Sequence, residues 1–201
     1  MGVPQGSILG PLLFILYIND ISNVSNQTVF YLFADDTAIA IRARQMSELQ
    51  NKLYQILPLV TEWFRSNRLS LNTSKTFNQI FSKSLTDGLD VHLNDSQIER
   101  RESVKYLGVV VDENLKWQNH INNVSRTISR GIGIMGRARY YLSSKHLLLL
   151  YNILILPYLN YCAAVWGSNY STRLDKLVKL QKRAVRIIGK ETYFFILRNF
   201  L

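Results

Sequence analysis

A single cysteine, Cys162, in 201 residues leaves no intrachain disulfide possible. That excludes the disulfide-stapled class of small secreted domains. Cys162 lies in an apolar stretch and reads as a small core residue. Proline is also sparse, at four residues, and neither a low-complexity tract nor an internal repeat is present. Acidic residues are few: 14 Asp and Glu stand against 24 Lys and Arg, a net charge of +10 with a pI of about 9.8. Such a balance favours a polyanionic partner through counterion release, although basic chains also arise for solubility alone. No basic segment follows Met1, so a signal peptide is not indicated. Met1-Gly2 opens like a myristoylation signal, but the position requiring Ser or Thr holds Gly6. One long uncharged run, Leu147–Gly167, would suffice to span a bilayer. Asn152, Pro157 and Asn160 interrupt it, and a buried helix ending near Pro157 accounts for it better. What the chain does have is apolar content, 47%, which argues against disorder. Its length allows one substantial domain or two small ones, burying about 70% of the unfolded surface.

The most informative residues are two neighbouring acids, Asp35 and Asp36, inside the apolar run Val29–Ile41. Burying two adjacent carboxylates costs several kcal/mol per charge, about what a bound cation would have to offset. Alternation puts Val29, Tyr31 and Phe33 on one face before the acids and Thr37, Ile39 and Ile41 beyond them. The expected structure is a tight β-hairpin with the pair at its tip and small Ala34 permitting the turn. A plain surface turn would use the same residues. Upstream, Gly2-Val-Pro-Gln-Gly-Ser7 is a Gly/Pro loop leading into an apolar helix that Pro11 can start from its first turn. Gly6 lets backbone approach a ligand, and Gln5 offers a donor and an acceptor.

GVPQGSILGPLLFILYINDI followed by YLFADDTA resembles the palm of a reverse transcriptase, and most closely those of non-LTR, jockey-like retrotransposons. Three further segments resemble the same family in the same order: LSLNTSKT at 69–76, KYLGVVVDENLKWQNHI at 105–121 and ILPYLNYCAAVWG at 155–167. The resemblance extends to about Lys190. It implies in-line phosphoryl transfer in which Mg²⁺ ions activate a primer hydroxyl and stabilise the leaving pyrophosphate. Under it Asp35 is a metal ligand and Asp36 a second acid of the same site. Phe33 stands where reverse transcriptases often carry Tyr. Gln5 and Gly6 resemble residues lining template and nucleotide. Lys75 resembles a lysine that meets the pyrophosphate charge, or it is a solvated turn lysine. Tyr106, Leu107 and Gly108 resemble the primer-grip hairpin, and Tyr106 is equally a good strand residue. Lys182, Arg183 and Arg186 would follow a nucleic-acid backbone, unless they form only the wet face of a helix. The implied partners are an RNA template, a DNA primer and deoxynucleotides, in an intracellular ribonucleoprotein, nuclear or cytoplasmic, with no membrane.

Along the chain, Ser47-Glu-Leu-Gln50 fits a capping box, followed by an amphipathic helix to about Arg65 with Pro58 inside it. Short strands are expected near 76–81, 89–93 and 104–111, with turns at Asn94-Asp-Ser96 and Asp112-Glu-Asn114. Trp117, Ile121, Val124, Ile128, Ile132 and Met135 mark one long helix, in which Gly131, Gly133 and Gly136 allow close packing. Ser143 or Ser144 would cap the next, which runs through Leu156. A last helix over 172–188 carries Leu174, Leu177, Val178, Val185 and Ile188 near one face. His120 reads as structural rather than as a ligand.

The expected fold is α+β: a partial polymerase palm over 1–115, an antiparallel sheet with packed helices, then a helical thumb and following region over 116–201. The family also needs a catalytic aspartate on a strand before the GVPQGS segment, which here begins at residue 2. Without that strand and the fingers, the expectation is a truncated element, inactive alone and exposing a sheet edge and its apolar face. The alternative from the same residues is a noncatalytic nucleic-acid-binding remnant.

Overall fold

A computed structural model describes residues 4, 6–82, 89–93, 96–168 and 171–189. Gln5, most of the polar gap before Leu89, Asn94 and Asp95 of the second turn, and the tail from Lys190 lie outside the described residues. The chain forms two compact units, Met1–Arg101 and Glu102–Leu201. Both mix helices with short strands, an α+β arrangement.

The first unit opens with α1 (Leu9–Ile18), with Pro11 in its first turn. A 3-10 stretch, Asn19–Val24, leads into the hairpin β1 (Thr28–Phe33) and β2 (Asp36–Ile41). These strands pair antiparallel from Thr28↔Ile41 to Phe33↔Asp36, leaving only Ala34 and Asp35 as the loop. Exposure alternates along β1, with Val29, Tyr31 and Phe33 outward and Phe30 and Leu32 toward the core. Next, α2 (Met46–Ser66) runs on past Pro58 and buries Ile56, Val60 and Phe64 at i, i+4 and i+8. These pack with Ile18 and Ile21 into the unit's main core. The capping box expected from Ser47 does not form, and the cap residue makes no side-chain hydrogen bond to the helix. Gln45 is the cap residue and Ser47 is already helical. Glu48, three residues past that cap, reaches back to accept from the Arg44 N–H at 2.9 Å and pairs with Lys52 at 2.7 Å. The Lys52 ammonium and the Arg44 amide hold the Glu48 carboxyl below its ordinary pKa.

The remaining strands of this unit are two residues each: β3 (Phe77–Asn78), β4 (His92–Leu93), β5 (Ser96–Gln97) and β6 (Glu99–Arg100). β3 pairs with β6 in parallel and β4 with β5 antiparallel. The single antiparallel sheet expected from the strand pattern is therefore a set of two-stranded pairs, one of them parallel. Segments this short cannot propagate a ladder, and side-chain packing of Val91, Leu93 and Ile98 against Leu53, Leu57 and Leu71 holds them instead.

The second unit begins with β7 (Ser103–Tyr106) and β8 (Val109–Asp112), antiparallel about the loop Leu107-Gly108. The run that periodicity reads as one strand is thus a hairpin, as the resemblance at Tyr106-Leu107-Gly108 implies, and both loop residues take positive φ, 44° and 84°. The helices follow: α3 (Gln118–Ala138), α4 (Ser144–Leu154), α5 (Leu156–Asn160), α6 (Ala163–Trp166) and α7 (Ser171–Ile188). The α3 stripe read from periodicity is buried as expected: Ile121 and Ile128 are fully buried, with Val124, Ile132 and Met135 beside them. Leu147, Tyr151, Ile155, Leu177, Ala184 and Ile187 complete one continuous core.

Gly131 is the glycine that close packing demands. A Cβ there would lie 3.2 Å from the Leu154 carbonyl, whereas one at Gly133 would meet nothing. On α7 the buried stripe is Leu177, Ala184 and Ile188 with Ile187, and Val178 is exposed. One residue of helix is about 100° of rotation, so Val178 leaves the face that Leu177 sets. Cys162 is exposed rather than core, because it sits in the left-handed conformation (φ 52°) at the junction of α5 and α6. Ser143 is the α4 cap residue, but its hydroxyl lies 2.8 Å from His146 Nδ1 instead of on the helix backbone. Pro157, in the first turn of α5, ends the apolar run as one helix. No described helix is long and apolar enough to cross a membrane.

Candidate polymerase site

The acid pair occupies the hairpin tip. Asp35 is the second loop residue, Asp36 the first of β2, and both are exposed, so the burial cost expected from their apolar setting does not arise at this tip. Ala34 supplies the bend with φ 50°, a conformation that costs a non-glycine residue about 1–2 kcal/mol and that a small side chain tolerates best. Among the described residues neither carboxylate has an ion pair or side-chain hydrogen bond. Four hard oxygen atoms thus stand free on a short, doubly anchored turn. That donor set suits a hard divalent cation, which takes one or two protein carboxylates and fills its remaining positions with water or phosphate oxygens. Among the described residues no group of three or more His, Cys, Asp or Glu comes together.

Phe33, immediately before the loop, is 61% exposed, so its ring is a free surface rather than core. Gly6 has φ 87° and open space around it, and the adjacent Ser7 N–H donates to the Pro4 carbonyl at 3.0 Å. The backbone conformation, not crowding, therefore requires glycine there. Lys75 ends a single 3-10 turn, Thr73–Lys75, built on Asn72. The Asn72 carbonyl accepts from the Lys75 N–H at 3.1 Å and from the Thr76 hydroxyl at 2.9 Å, leaving the Lys75 side chain exposed.

In the second unit, Leu107 and Gly108 form the β7–β8 loop with Tyr106 closing β7. Lys182, Arg183 and Arg186 are exposed on α7. His120 is structural. It is 5% exposed, and its Nδ1 accepts from the Val110 N–H at 3.3 Å. Burial holds its pKa below the ordinary 6.5. Asp112 is equally committed to the fold: Oδ1 accepts from the Asn114 and Lys116 N–H groups and Oδ2 from that of Trp117, at 2.7–3.2 Å. An acid closing the turn before α3 also complements the positive end of that helix. The charge is distributed unevenly. Met1–Arg101 has nine Lys and Arg against nine Asp and Glu, and Glu102–Leu201 has 15 against 5, so the whole +10 belongs to the second unit.

The family described as reverse transcriptase (RNA-dependent DNA polymerase) matches residues 1–111, more than half of the chain and inclusive of the acid-tipped hairpin. This chain belongs to the reverse transcriptase family. It is also similar to named polymerases over nearly its whole length. It is 28% identical over 208 residues to the RNA-directed DNA polymerase from mobile element jockey of Drosophila funebris, covering 98% of this chain and 23% of that protein. Against the probable RNA-directed DNA polymerase from transposon X-element of Drosophila melanogaster it is 26% identical, covering 93% of this chain and 21% of that one. A Pol polyprotein from the type-1 retrotransposable element R1 of Nasonia vitripennis is 26% identical over 92% of this chain and 58% of its own length. This reverse transcriptase chain therefore spans under a quarter of the jockey and X-element relatives. No solved structure matches it.

Motif reading passed over two groups in this reverse transcriptase chain. Asp112 reads in sequence as an ordinary turn acid, and Tyr161 and Trp166 carry no role there beyond the family-like segment that contains them. The signal for a turn there is Leu-Gly between the strand-like runs Ser103–Tyr106 and Val109–Asp112.

Proposed function

We propose that this chain carries part of an RNA-directed DNA polymerase site of a non-LTR retrotransposon. Residues 1–115 act as palm, and 116–201 as thumb and the region after it. The observation that carries the reading is the acid pair with free carboxylates at a two-residue hairpin tip, in a chain matched by the reverse transcriptase family over that hairpin. Reverse transcriptases as a class use divalent metal, and here Asp35 and Asp36 would hold Mg²⁺. When bound, the cation supplies activation of the primer hydroxyl and charge stabilisation of the leaving pyrophosphate. The chain's own residues bind and orient. Gly6, together with Gln5, offers backbone and amide contacts to template and deoxynucleotide, and Phe33 offers an open ring beside the acids. Lys75 brings a positive charge on a short turn to meet the pyrophosphate. Tyr106, Leu107 and Gly108 hold the primer end. Lys182, Arg183 and Arg186 follow the phosphate backbone of an RNA template paired with a DNA primer.

Two carboxylates alone hold and place Mg²⁺ poorly, and misplacement by 1 Å can cost about 100-fold in rate. The chain by itself is therefore expected not to extend a primer. Purified protein with a DNA primer on an RNA template, Mg²⁺ and deoxynucleotides tests this. Absence of product is the expected result, and template-directed synthesis abolished by Asp35→Asn would overturn the inactivity while supporting the site.

The +10 charge of the second unit favours a second reading, a noncatalytic nucleic-acid-binding remnant. It predicts salt-dependent binding that Asp35→Asn leaves unchanged, while Lys182→Ala with Arg183→Ala lowers the log–log salt slope by about 0.9 for each phosphate no longer neutralised.

A further inference from the structure

The β7–β8 loop is held in place from outside the hairpin. Tyr161, just past α5, has all its polar groups engaged. Its N–H donates to the Pro157 carbonyl at 2.9 Å, its carbonyl accepts from Trp166 Nε1–H at 2.8 Å, and its hydroxyl donates to the Leu107 carbonyl at 2.7 Å. The same ring walls the loop: a Cβ on Gly108 would lie 3.2 Å from Tyr161 Cε1. Trp166, 3% exposed, meets the His120 ring edge-on with centroids 5.3 Å apart. His120 in turn holds the Val110 N–H. In a hairpin closed by Tyr106↔Val109, that amide points away from β7 and would otherwise lack a partner. Together these interactions form a closed circuit: Leu107 to Tyr161, Tyr161 to Trp166, Trp166 to His120, and His120 back to Val110.

A loop with positive φ at Leu107 needs such support. The left-handed conformation disfavours a leucine and persists only where surrounding structure over-determines it. We infer that Tyr161 is a positioning residue that clamps the Leu107-Gly108 turn through the Leu107 carbonyl, with Trp166 and His120 setting the orientation of the clamp. The functional consequence rests on the reading of this turn as the primer-holding element: the clamp fixes the turn so that it meets a recessed primer end in one conformation.

The test uses the full chain labelled with ¹⁵N. Tyr161→Phe removes only the hydroxyl, at a position 52% exposed, and Tyr161→Leu removes the ring as well. The readout is the Gly108 amide, which follows the Leu107 carbonyl and reports the hydrogen bond that carbonyl accepts. In Tyr161→Phe its resonance shifts, and hydrogen exchange of the Val109 amide, which closes the hairpin onto Tyr106, accelerates about fivefold, while α3 amides exchange as in the parent. Unchanged exchange in the Phe variant overturns the clamp. So does acceleration confined to the Leu variant, because ring packing rather than the hydroxyl would then hold the turn.

A second arm measures binding of a DNA primer recessed on a longer RNA template against the same hybrid with flush ends. The parent prefers the recessed end and Tyr161→Phe reduces that preference at least threefold. A parent without preference overturns the primer-end reading of the turn, and the exchange result still decides the clamp. Accelerated exchange with an unaltered preference in Tyr161→Phe overturns the functional consequence alone.

Discussion

The two units solve opposite problems with similar lengths of chain. Met1–Arg101 is electrically neutral, carries the acid-tipped hairpin and leaves much apolar surface uncovered. In α1 only Ile18 is buried, while Leu9, Leu12, Leu13, Ile15, Leu16 and Tyr17 are 45–67% exposed. The helix is tied by Phe14 and Ile18 in the core and by the Tyr17 hydroxyl donating to the Asn67 carbonyl. Glu102–Leu201 carries all the net charge, and its helices enclose one core whose central residues are fully buried. The acids that would hold a cation and the bases that would hold a polyanion thus belong to separately cored parts of the chain. The comparison teaches that net charge, the first clue to a nucleic-acid partner, does not point to the residues that carry the chemistry. It also separates two uses of apolar residues. In α3 they stabilise, and in α1 most of them do not contribute to the fold as it stands.

The sharpest way to break that comparison is to truncate one apolar residue from each unit. Ile128→Ala empties a fully buried site in α3 and should cost about 2–5 kcal/mol in urea-monitored unfolding. Leu16→Ala, at a site 67% exposed, should stay within about 0.5 kcal/mol. Equal destabilisation would mean that α1 is as much part of the stabilised fold as α3.

A smaller effect separates two nearby glycines in the same helix. Gly131→Ala forces a methyl against the Leu154 backbone and should destabilise by about 1 kcal/mol. Gly133→Ala, with open space around it, should stabilise by about 0.4–1 kcal/mol through helix propensity and reduced unfolded-state entropy. If urea unfolding shows that both stabilise, α4 packs on α3 more loosely than the close approach of Leu154 implies.

Acid should weaken the second unit through His120 by the smallest of these effects. Burial depresses its folded pKa below 6.5, so between the two values the unfolded chain binds more protons than the native one, and stability falls as pH falls. It is fully present above pH 6.5 and declines toward the lowered folded value. Protonation also places a donor on Nδ1 opposite the Val110 N–H. Urea midpoints measured from pH 7.5 downward should show this decline, and His120→Gln should flatten it. An unaltered slope in that variant assigns the pH dependence to other groups.

Much of this architecture was legible because it depends on local period. The alternation through Val29–Phe33 grouped Val29, Tyr31 and Phe33 on one strand face, and the small residue before the acids marked the turn that Ala34 makes. The spacing from Ile121 to Met135 identified the buried stripe of α3. Reading failed where the outcome depended on a neighbour distant in sequence, on a left-handed junction or on the exact register of a helix. The Leu107-Gly108 turn inside an apparently continuous strand is held by Tyr161, 54 residues away. Cys162 looked like core from its apolar context, yet a helix junction turns it outward. Val178 was grouped with the apolar face of the last helix, yet the register of α7 is set by Leu177, Ala184 and Ile188.

By itself the chain's order of residues determined the secondary-structure periods, the acid pair at its bend, the family and the excess of positive charge, because each is a property of residues close together or simply counted. Only the tertiary structure decided which apolar faces find cover, that the charge belongs to one unit, and that a tyrosine, a tryptophan and a histidine close a circuit around one loop. Those outcomes depend on which distant surfaces meet, and burial and hydrogen-bond partnership are properties of the meeting.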